Sequence, residues 1–594
     1  MKKILIAALV FATATLVGCE KFLQEDPQSA FADGPTFWKG ETALKMETNY
    51  FYTSFSSYGA AHSGRYYAAS KSDDYGQDNN NPEYSVTIPS GTGVWASSYQ
   101  EARRANLIMN RMADMELSDE VRKHYEGFCR YYRAIQHYDV VNAYGDCVWQ
   151  GHEVDMNDPE WQAQSRTDRA EIMRKVCEDL KFAGENCRDY TDGRSFHKYV
   201  AWTMLSRVAL FEGAWQKYHK QNTQVANEFF QIAKDAALQV MNSGKWSIHN
   251  DYASNYISKE LAGNSEMIMY KEFRYDADVK LGHGLHGYSS SSTPTWGMTK
   301  DAVESYCNAD GLPIHVSEAG FDDSTIKSAI AGRDARLAHN VCDSVMMLNT
   351  YPWLKGINST TGYWLTKFVV ADYVLNGGAN ELAPYNDTDG PVFMYAEVLL
   401  NYAEACAELG NMTQADADKS INELRTKHGN IPALTVSGTT VSVNGTTITK
   451  DPKNVYGVNE LIWEIRRERR CELICDGFRT DDLRRWKMGA QLDFSKNPSG
   501  HVGVSEAAVQ AYYNYTKNEY DWKDIHSDKT WDDIIGDGTD EKPGDYWVTV
   551  DGKKYISAFH PDRNRVFNEN QNYLDPLPSG ITIINPNLGQ NPGW

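Results

Sequence analysis

Apolar residues recur every three or four positions through the first two-fifths of this chain. Such spacing places them on one face of a helix. Ser118-Asp119-Glu120 has the capping chemistry of a helix start, and Asn242-Ser243-Gly244 has the chemistry of a helix end. The pattern predicts six helices, over 41–56, 98–112, 119–143, 168–183, 197–217 and 224–241.

Two predicted helix–turn–helix pairs share a pattern of small residues where their helices would cross. The first pair contains Ala209, Gly213, Ala226, Ala233 and Ala237, and the second contains Ala403, Gly410, Ala415, Ala417 and Leu424. Small residues at a crossing with a short connection are typical of tetratricopeptide-like pairs. The two pairs lie far apart in the sequence, so they do not form a tandem solenoid.

The pattern changes after residue 244. Residues 245–390 are rich in Gly, Ser, Asn, Tyr and Trp and have few long periodic runs, which predicts long loops with short strands and helices. Residues 431–450 alternate around Asn444-Gly445, which predicts a hairpin. Residues 490–565 form a second aromatic, acidic, loop-rich insertion. We therefore divide the chain into a helical region, 19–244, and a second region, 245–594.

The composition indicates a folded protein and argues against binding of nucleic acid through overall charge. The 594 residues are 41% hydrophobic and 23% charged, which is enough to build a folded core. Asp and Glu number 80 against 59 Lys and Arg, a net charge of −21. A chain that held nucleic acid through its overall field would need the opposite sign. Beyond Cys19 there are nine cysteines, and because this number is odd at least one cannot be in a disulfide within the chain. None lies in a CxxC pair, and we interpret them as buried thiols.

The first eighteen residues resemble an export signal. Lys2 and Lys3 precede the uncharged run from Ile4 to Val17, which is too short to span a bilayer. The run ends in Leu16-Val17-Gly18-Cys19, similar to a bacterial lipobox. We predict a signal peptide over 1–18 and lipidation of Cys19, which would tether the chain to a membrane without crossing it.

A charged stripe offers the strongest alternative chemistry. Glu464, Glu468, Glu472 and Asp476 are spaced by four, so a single helix would align them. A carboxylate pair could serve a glycoside hydrolase. Seven arginines between 466 and 485 interleave with these acids, so we interpret the stripe as structural ion pairs. No GxSxG, P-loop or dinucleotide-binding motif is present in the sequence.

Metal sites have weak support. His283 and His286 are spaced by three, but no HExxH motif or third ligand accompanies them, and we predict flexible loop histidines. The segments 386–390 and 532–541 are rich in oxygen ligands that suit Ca²⁺. Neither follows the EF-hand spacing, so we predict solvated acidic loops and no cofactor.

Several segments, in order, resemble the SusD/RagB family, the surface nutrient-binding lipoproteins of Bacteroidetes. They read FCRYYRAIQHYDVVNAYGD (128–146), YVAWTMLSRVALFEGAW (199–215), YAEVLLNYAEACAEL (395–409), EIRRERRCELICDGFRTDDLRRW (464–486) and YLDPLPSGITIINPNLGQNPGW (573–594). The sequence departs at Asp476-Gly477-Phe478-Arg479, where the family often has Glu-Gly-His or Phe-Arg, and at Gly580, where a polar residue is common.

The resemblance implies a mostly α fold, with tetratricopeptide-type helix pairs as a scaffold beneath a loop-rich half that carries short strands. It implies a glycan ligand and a partner, a SusC-like TonB-dependent outer-membrane transporter. Glu20, Glu25 and Asp26 after Cys19 resemble the acidic signal that directs some such lipoproteins to the cell surface. We therefore expect a lipid-anchored outer-membrane protein, exposed at the surface.

Aromatic side chains suit a sugar, because a flat ring covers the apolar C–H face while polar groups pair with the hydroxyl rim. Trp296 stands out because the segment after it resembles a family helix that follows the ligand loops. Trp95 and Trp215 resemble helix residues at family-like positions and are predicted to be core. The nine candidate ligand-binding residues are Tyr66, Tyr67, Asp73, Asp74, Tyr288, Trp296, Trp353, Tyr363 and Trp364.

Four functions remain open from the sequence. The first is a glycan-binding lipoprotein without catalysis that delivers its ligand to the transporter. The second is a RagB-like protein of the same fold that binds oligopeptides. A glycoside hydrolase and a helical-repeat adaptor for proteins are the weaker alternatives. We favour the first.

Overall fold

The fold is mostly helical, as predicted. The predicted signal peptide and Cys19 lie outside the described residues. The computed structural model describes residues 37–59, 64, 66, 71–76, 87–155, 157–190, 192–276, 278–286, 297–342, 346–348, 351–353, 359, 361–370, 385–519, 546–557 and 565–594.

The helical region contains the six predicted helices and one extra short turn of helix. They are α1 (Gly40–Thr48), α2 (Gly93–Ala113), α3 (Asp119–Tyr144), α4 (Pro159–Gln162), α5 (Arg169–Asn186), α6 (Lys198–Tyr218) and α7 (Thr223–Met241). Ser118 caps α3, as predicted, because its side chain accepts a hydrogen bond from the Val121 amide. The first predicted helix is shorter than expected, since α1 gives way to a 3₁₀ turn over Asn49–Ser54.

Neighbouring helices of this region pack in sequence order, α2 on α3, α3 on α5, α5 on α6 and α6 on α7. Gly213 shows why small residues recur at the crossings. A Cβ atom at this position would lie 2.6 Å from a ring carbon of Phe230, so a larger residue would force α6 and α7 apart. Trp95 and Trp215 are buried, as predicted for core residues.

Shorter helices dominate the second region, as the change in pattern predicts. They are α8 (Ser254–Ile257), α9 (Lys300–Glu304), α10 (Ile326–Ile330), α11 (Ala335–Asn340), α12 (Tyr395–Glu408), α13 (Gln414–Asp418), α14 (Ile421–Lys427), α15 (Glu460–Glu472), α16 (Arg479–Arg485), α17 (Glu506–Glu519) and α18 (Ser579–Thr582). Helix α12 packs against α7 and α15, which joins the two regions. The second helix of the second predicted pair is broken into α13 and α14 at Lys419-Ser420.

The strands are short and their described pairs are all antiparallel. They are β1 (Tyr75–Gly76), β2 (Met267–Lys271), β3 (Arg274–Tyr275), β4 (Lys280–Leu281), β5 (Gly297–Met298), β6 (Met346–Leu348), β7 (Tyr351–Trp353), β8 (Gly390–Met394), β9 (Thr435–Ser437), β10 (Thr440–Val443), β11 (Thr446–Thr447), β12 (Val502–Ser505), β13 (Tyr546–Val550) and β14 (Lys553–Ser557). The paired orders are β1-β5, β2-β8, β3-β4, β6-β7, β11-β10-β9 and β12-β14-β13.

Two strand predictions can be compared with the structure. The predicted hairpin is confirmed, because Asn444 and Gly445 join β10 to β11 with φ values of 49° and 85°. The insertion over 490–565 is more regular than predicted. Its described parts include the three-stranded sheet β12-β14-β13 and helix α17.

The arginine-rich helix is a structural element, as predicted, but it ends earlier than the acidic spacing suggested. Helix α15 stops at Glu472, and Cys475 adopts the left-handed conformation with φ of 60°. Asp476 therefore lies beyond the helix, where it pairs with the buried Lys367 at 2.7 Å. Arg336 contacts both Glu468 and Glu472, so these carboxylates are bound in ion pairs in the protein interior.

No disulfide joins the nine cysteines after Cys19, and eight of them are buried. Cys342 is half-buried. This agrees with the interpretation of buried thiols. Among the described helices, none is both long and apolar enough to cross a bilayer.

Candidate ligand-binding face

Three distant segments meet where the aromatic loops were predicted. Strand β1 pairs with β5, and Gly297 of β5 also bridges to Trp364. Residue 297 must be glycine, because a Cβ atom there would clash with the Thr361 hydroxyl. Thr361 donates that hydroxyl to Met298 O at 2.6 Å. We call this meeting of residues 71–76, 297–301, 359 and 361–365 the loop junction.

Buried charges tie the loop junction to α15 and α16. Arg470 contacts Asp74 at 3.0 Å and Asp301 at 2.6 Å, and donates to the Asp73 carbonyl at 3.0 Å. Arg479 forms a two-pronged pair with the Asp73 carboxylate at 2.8 and 2.9 Å. Both aspartates are fully buried. The guanidinium groups therefore hold the chain segment just before β1 at a fixed position.

The same cluster continues onto α9. Lys453 contacts Asp301 at 2.5 Å and Glu304 at 2.7 Å. Lys300 also pairs with Glu304 within the helix. Thr299 begins this helix and donates its hydroxyl to the Asp73 carbonyl at 2.6 Å. The segment that follows β5 is therefore fixed to the segment that precedes β1.

Burial and pairing act in opposite directions on these carboxylates. Burial opposes ionisation of Asp73, but Arg470 and Arg479 outweigh it and lower the pKa of Asp73. Burial raises the pKa of Asp74, and Arg470 offsets this only in part. Asp301 is also fully buried, yet Lys453 and Arg470 lower its pKa. Charges arranged this way serve structure, because each ion is neutralised by the protein itself.

The structure places Asp73 and Asp74 in the protein interior, and their predicted ligand-binding roles stay predictions. Their carboxylates are occupied by arginines and have no exposed surface for a sugar hydroxyl. Sequence reasoning missed the pairing because Arg470 and Arg479 lie some 400 positions away. The sequence signal for this pairing is that the segment 464–485 has more arginines than nearby acids, so some of them need acidic partners elsewhere, such as Asp73-Asp74.

Three candidate aromatic platforms also stay predictions, and in this structure their rings are covered by protein. Tyr66, Tyr363 and Trp364 are each 1% exposed. Tyr66 packs against Tyr58 and Phe368, and its hydroxyl donates to a backbone carbonyl. A ring with both faces buried cannot stack on a sugar. Tyr363 and Trp364 are therefore buried parts of the loop junction itself.

The other four candidates lie wholly or partly outside the described residues and also stay predictions. Tyr67, Tyr288 and Trp296 lie outside the described residues. Trp353 lies on β7, and its side chain is outside the described part. Trp296 directly precedes Gly297 in the sequence, so it follows that Trp296 is one residue from the loop junction.

Histidines in this region are structural rather than flexible, which corrects the prediction. His283 and His286 are buried, and the ring of His283 contacts Thr388 at 2.9 Å. Burial lowers the pKa of His283 to about 3. Asp389 lies in the segment 386–390, which was predicted to be a solvated acidic loop, but it is buried and accepts hydrogen bonds from the backbone amides of Leu261 and Phe273. Across the described residues, no group of three or more His, Cys, Asp or Glu side chains is arranged to hold a metal ion.

Comparison with known proteins gives a consistent family. Residues 253–594 match the model of the SusD family, and residues 39–210 match a model described as starch-binding associating with outer membrane. Two SusD-like proteins from Formosa agariphila are each 22% identical to this chain. The matches span 515 and 557 residues, which are 82% and 86% of this chain and 91% and 94% of the relatives.

Solved structures agree on the fold. A SusD-like carbohydrate binding protein from Bacteroides fragilis has a TM-score of 0.67 at 18% identity, over 93% of this chain and 100% of that one. A second SusD-like protein from the same species has a TM-score of 0.63 at 20% identity, over 94% and 98%. Because one family model covers more than half of the sequence, the chain belongs to the SusD family.

Proposed function

We propose that this protein captures an oligosaccharide or polysaccharide at the loops above the loop junction and delivers it to a SusC-like TonB-dependent transporter. The proposal contains no catalytic step. Membership of the SusD family and the starch-binding description of the second family model support a glycan as the ligand. The observation that carries the proposal is the buried ion cluster that fixes the loop bases.

A fixed base matters because binding costs free energy when loops must be ordered. Arg470 and Arg479 join the segment before β1 to α15 and α16, and Thr299 joins it to the segment after β5. Trp296 directly precedes the 297–301 segment of this base in the sequence. An aromatic side chain there would meet its ligand without the loop ends having to move.

The expected affinity is modest. Covering about 100 Å² of a sugar face and an indole contributes roughly 2.5 kcal/mol before ordering costs. Three such contacts reach millimolar to micromolar dissociation constants. Weak, reversible capture suits a protein that must release its ligand to a transporter.

The N-terminal sequence supports a proposed place of action at the outer membrane. We propose that the chain is cut before Cys19, lipidated there, and held at the outer surface of the outer membrane. The outer-membrane description of the second family model supports this place. The transporter and the lipid anchor are both part of the proposal, because a captured ligand must be passed on at the same membrane.

An oligopeptide is the second candidate ligand, because the family resemblance includes RagB-like proteins. A glycoside hydrolase is less favoured, since the acidic residues that suggested it are bound in ion pairs. Glu468 and Glu472 contact Arg336, and Asp476 contacts Lys367. Carboxylates fixed in this way are not positioned to attack or protonate a glycosidic bond.

Affinity electrophoresis tests the proposal. The chain starting at Glu20 retains every described residue and would be run through gels containing neutral and acidic polysaccharides. We expect retardation by at least one of them, no release of reducing sugar, and weaker retardation for Trp296→Ala. Trp594→Ala serves as the matched control, because this half-buried terminal indole donates to the Leu574 carbonyl and is not part of the loop junction. Retention of a peptide mixture without glycan retardation would favour the oligopeptide.

A further inference from the structure

A groove on the helical region lies apart from the loop junction. It has a volume of about 460 Å³, which is within the range of small-molecule sites. Helix α2 forms one side with Trp95 and Tyr99, and α4 contributes Trp161. The C-terminal tail closes the other side with Ile584. Three aromatic side chains therefore line a single recess.

Two of the aromatic walls are held in place by the protein. Tyr99 donates its hydroxyl to Val148 O at 2.5 Å and accepts from Val148 N at 2.8 Å. Its ring centre lies 5.2 Å from that of Trp95, whose ring also contacts Tyr144 at 5.9 Å. Such side chains lose little freedom when a ligand arrives.

A buried acceptor without a partner also lines the groove. Gln150 is 1% exposed, and its side-chain oxygen has no hydrogen-bond partner among the described residues. Its backbone groups are satisfied, because the amide donates to His137 and the carbonyl accepts from Asn106. A buried acceptor is costly until a donor reaches it. This oxygen therefore favours a ligand that carries hydroxyl or N–H groups.

The charge of the groove favours a neutral ligand. Among the residues that line it, Arg103 is the charged one, and it pairs with Glu153 at 3.7 Å. No carboxylate lines the groove, although the whole chain carries a net charge of −21. Flat aromatic walls, exposed amides such as Gln100, and an acceptor that needs a donor match a sugar ring with its hydroxyl groups.

We propose that this groove is a second carbohydrate site, which takes neutral sugar rings independently of the loop face, the name used here for the proposed glycan site at the loop junction and the adjoining Trp296. A sugar C–H face would lie against Trp161 and Tyr99, and one hydroxyl would donate to Gln150. A long glycan could then engage two surfaces of one protein, which raises its apparent affinity if the chain can span both. The exposed side chain of Ile584 lines the groove, so an apolar protein contact is the competing occupant.

Fluorine NMR tests the groove directly. The chain starting at Glu20 would be labelled with 5-fluorotryptophan, and the Trp161 signal would be assigned by Trp161→Phe. Maltohexaose, cellohexaose, xylohexaose and mannohexaose would be added to millimolar concentration. We expect at least one of them to shift the Trp161 signal, and to do so equally in Trp296→Ala. The Trp296→Ala measurement distinguishes the two sites, because the loop face could fail to bind a glycan while the Trp161 signal in the groove still shifts.

Substitutions give the specificity control. Gln150→Met removes the acceptor and keeps the side-chain length, so the affinity for the responding sugar should fall about three- to tenfold while the urea midpoint does not fall. Ile584→Ala should weaken binding, whereas Val455→Ala, which truncates a side chain that is 74% exposed elsewhere, should not. If Gln150→Met fails to fold, Trp161→Ala replaces it, since Trp161 is half-buried at the groove.

Three results would overturn the proposal. The first is a Trp161 signal that no neutral hexasaccharide moves. The second is unchanged affinity in the folded Gln150→Met or Trp161→Ala protein. The third is a signal that responds to apolar oligopeptides and not to sugars, which would make the groove a protein contact.

Discussion

Replacing Arg470 by methionine tests whether the ion cluster holds the loop junction together. Arg470 contacts Asp74 and Asp301 and donates to the backbone of residue 73. Its side chain is 6% exposed, so water cannot take over its role. Methionine has a similar length and no charge. The variant therefore leaves buried carboxylates with one cation fewer.

The magnitude follows from burial. Breaking a buried ion pair by removing one partner costs about 3–5 kcal/mol, because the remaining charge stays desolvated. Arg174→Met is the matched control. It removes an arginine that contacts Glu228 at 2.8 Å, but both side chains are about 40% exposed. An exposed pair of this kind contributes only about 0.2–1 kcal/mol.

The free energy of unfolding would be measured by urea titration, followed by tryptophan fluorescence and by circular dichroism. We expect Arg470→Met to lose several times more stability than Arg174→Met. Adding Asp74→Asn to Arg470→Met should recover part of the loss, because it removes one of the stranded charges. Equal losses in Arg470→Met and Arg174→Met, or a further loss in the double variant, would refute the reasoning.

Three further predictions concern the core. Trp364→Phe should keep glycan retardation, because the ring is buried. Trp364→Ala should lower the free energy of unfolding by about 3–5 kcal/mol. Lost retardation in a folded Trp364→Phe protein would instead indicate that this residue binds the ligand. His428→Gln should destabilise most at pH 6. Burial lowers the pKa of His428, but Glu472 and Glu266 outweigh burial and raise this pKa from 6.5 to about 10. The stabilisation by the charged His428 is therefore fully present below pH 6.5 and is lost as the pH rises through about 10. Urea titrations at pH 6 and 9.5 check this, and an equal loss at both contradicts it. The chain from Glu20 should titrate nine thiols with a thiol reagent in urea and at most Cys342 in the folded state; a shortfall in urea would indicate a disulfide.

The long helices could be predicted because their signal repeats over many turns. Helix α3 has apolar residues at helical spacing over its whole length and a serine cap at its start. The end of α15 could not be predicted in this way. The acidic spacing continues to Asp476, but the left-handed backbone at Cys475 stops the helix, and a non-glycine residue gives no local signal for that conformation.

The binding residues were harder to predict, because aromatic content does not report burial. Tyr363 and Trp364 are adjacent in an irregular segment, and the same pattern would fit an exposed platform or a covered one. Here both are buried. Likewise, nothing near Asp73 in the sequence reveals that Arg479 binds its carboxylate. Contacts between residues that lie this far apart arise only from the tertiary fold.

The protein is proposed to capture a glycan at the loop face without cleaving it. The most direct measurement compares the chain from Glu20 with its Trp296→Ala variant on each polysaccharide, followed by an assay of reducing ends in the retained material. The account predicts slower migration of the unmodified chain, a smaller delay for the variant, and no new reducing ends. Free migration through every polysaccharide, or cleavage of the retained one, would contradict it.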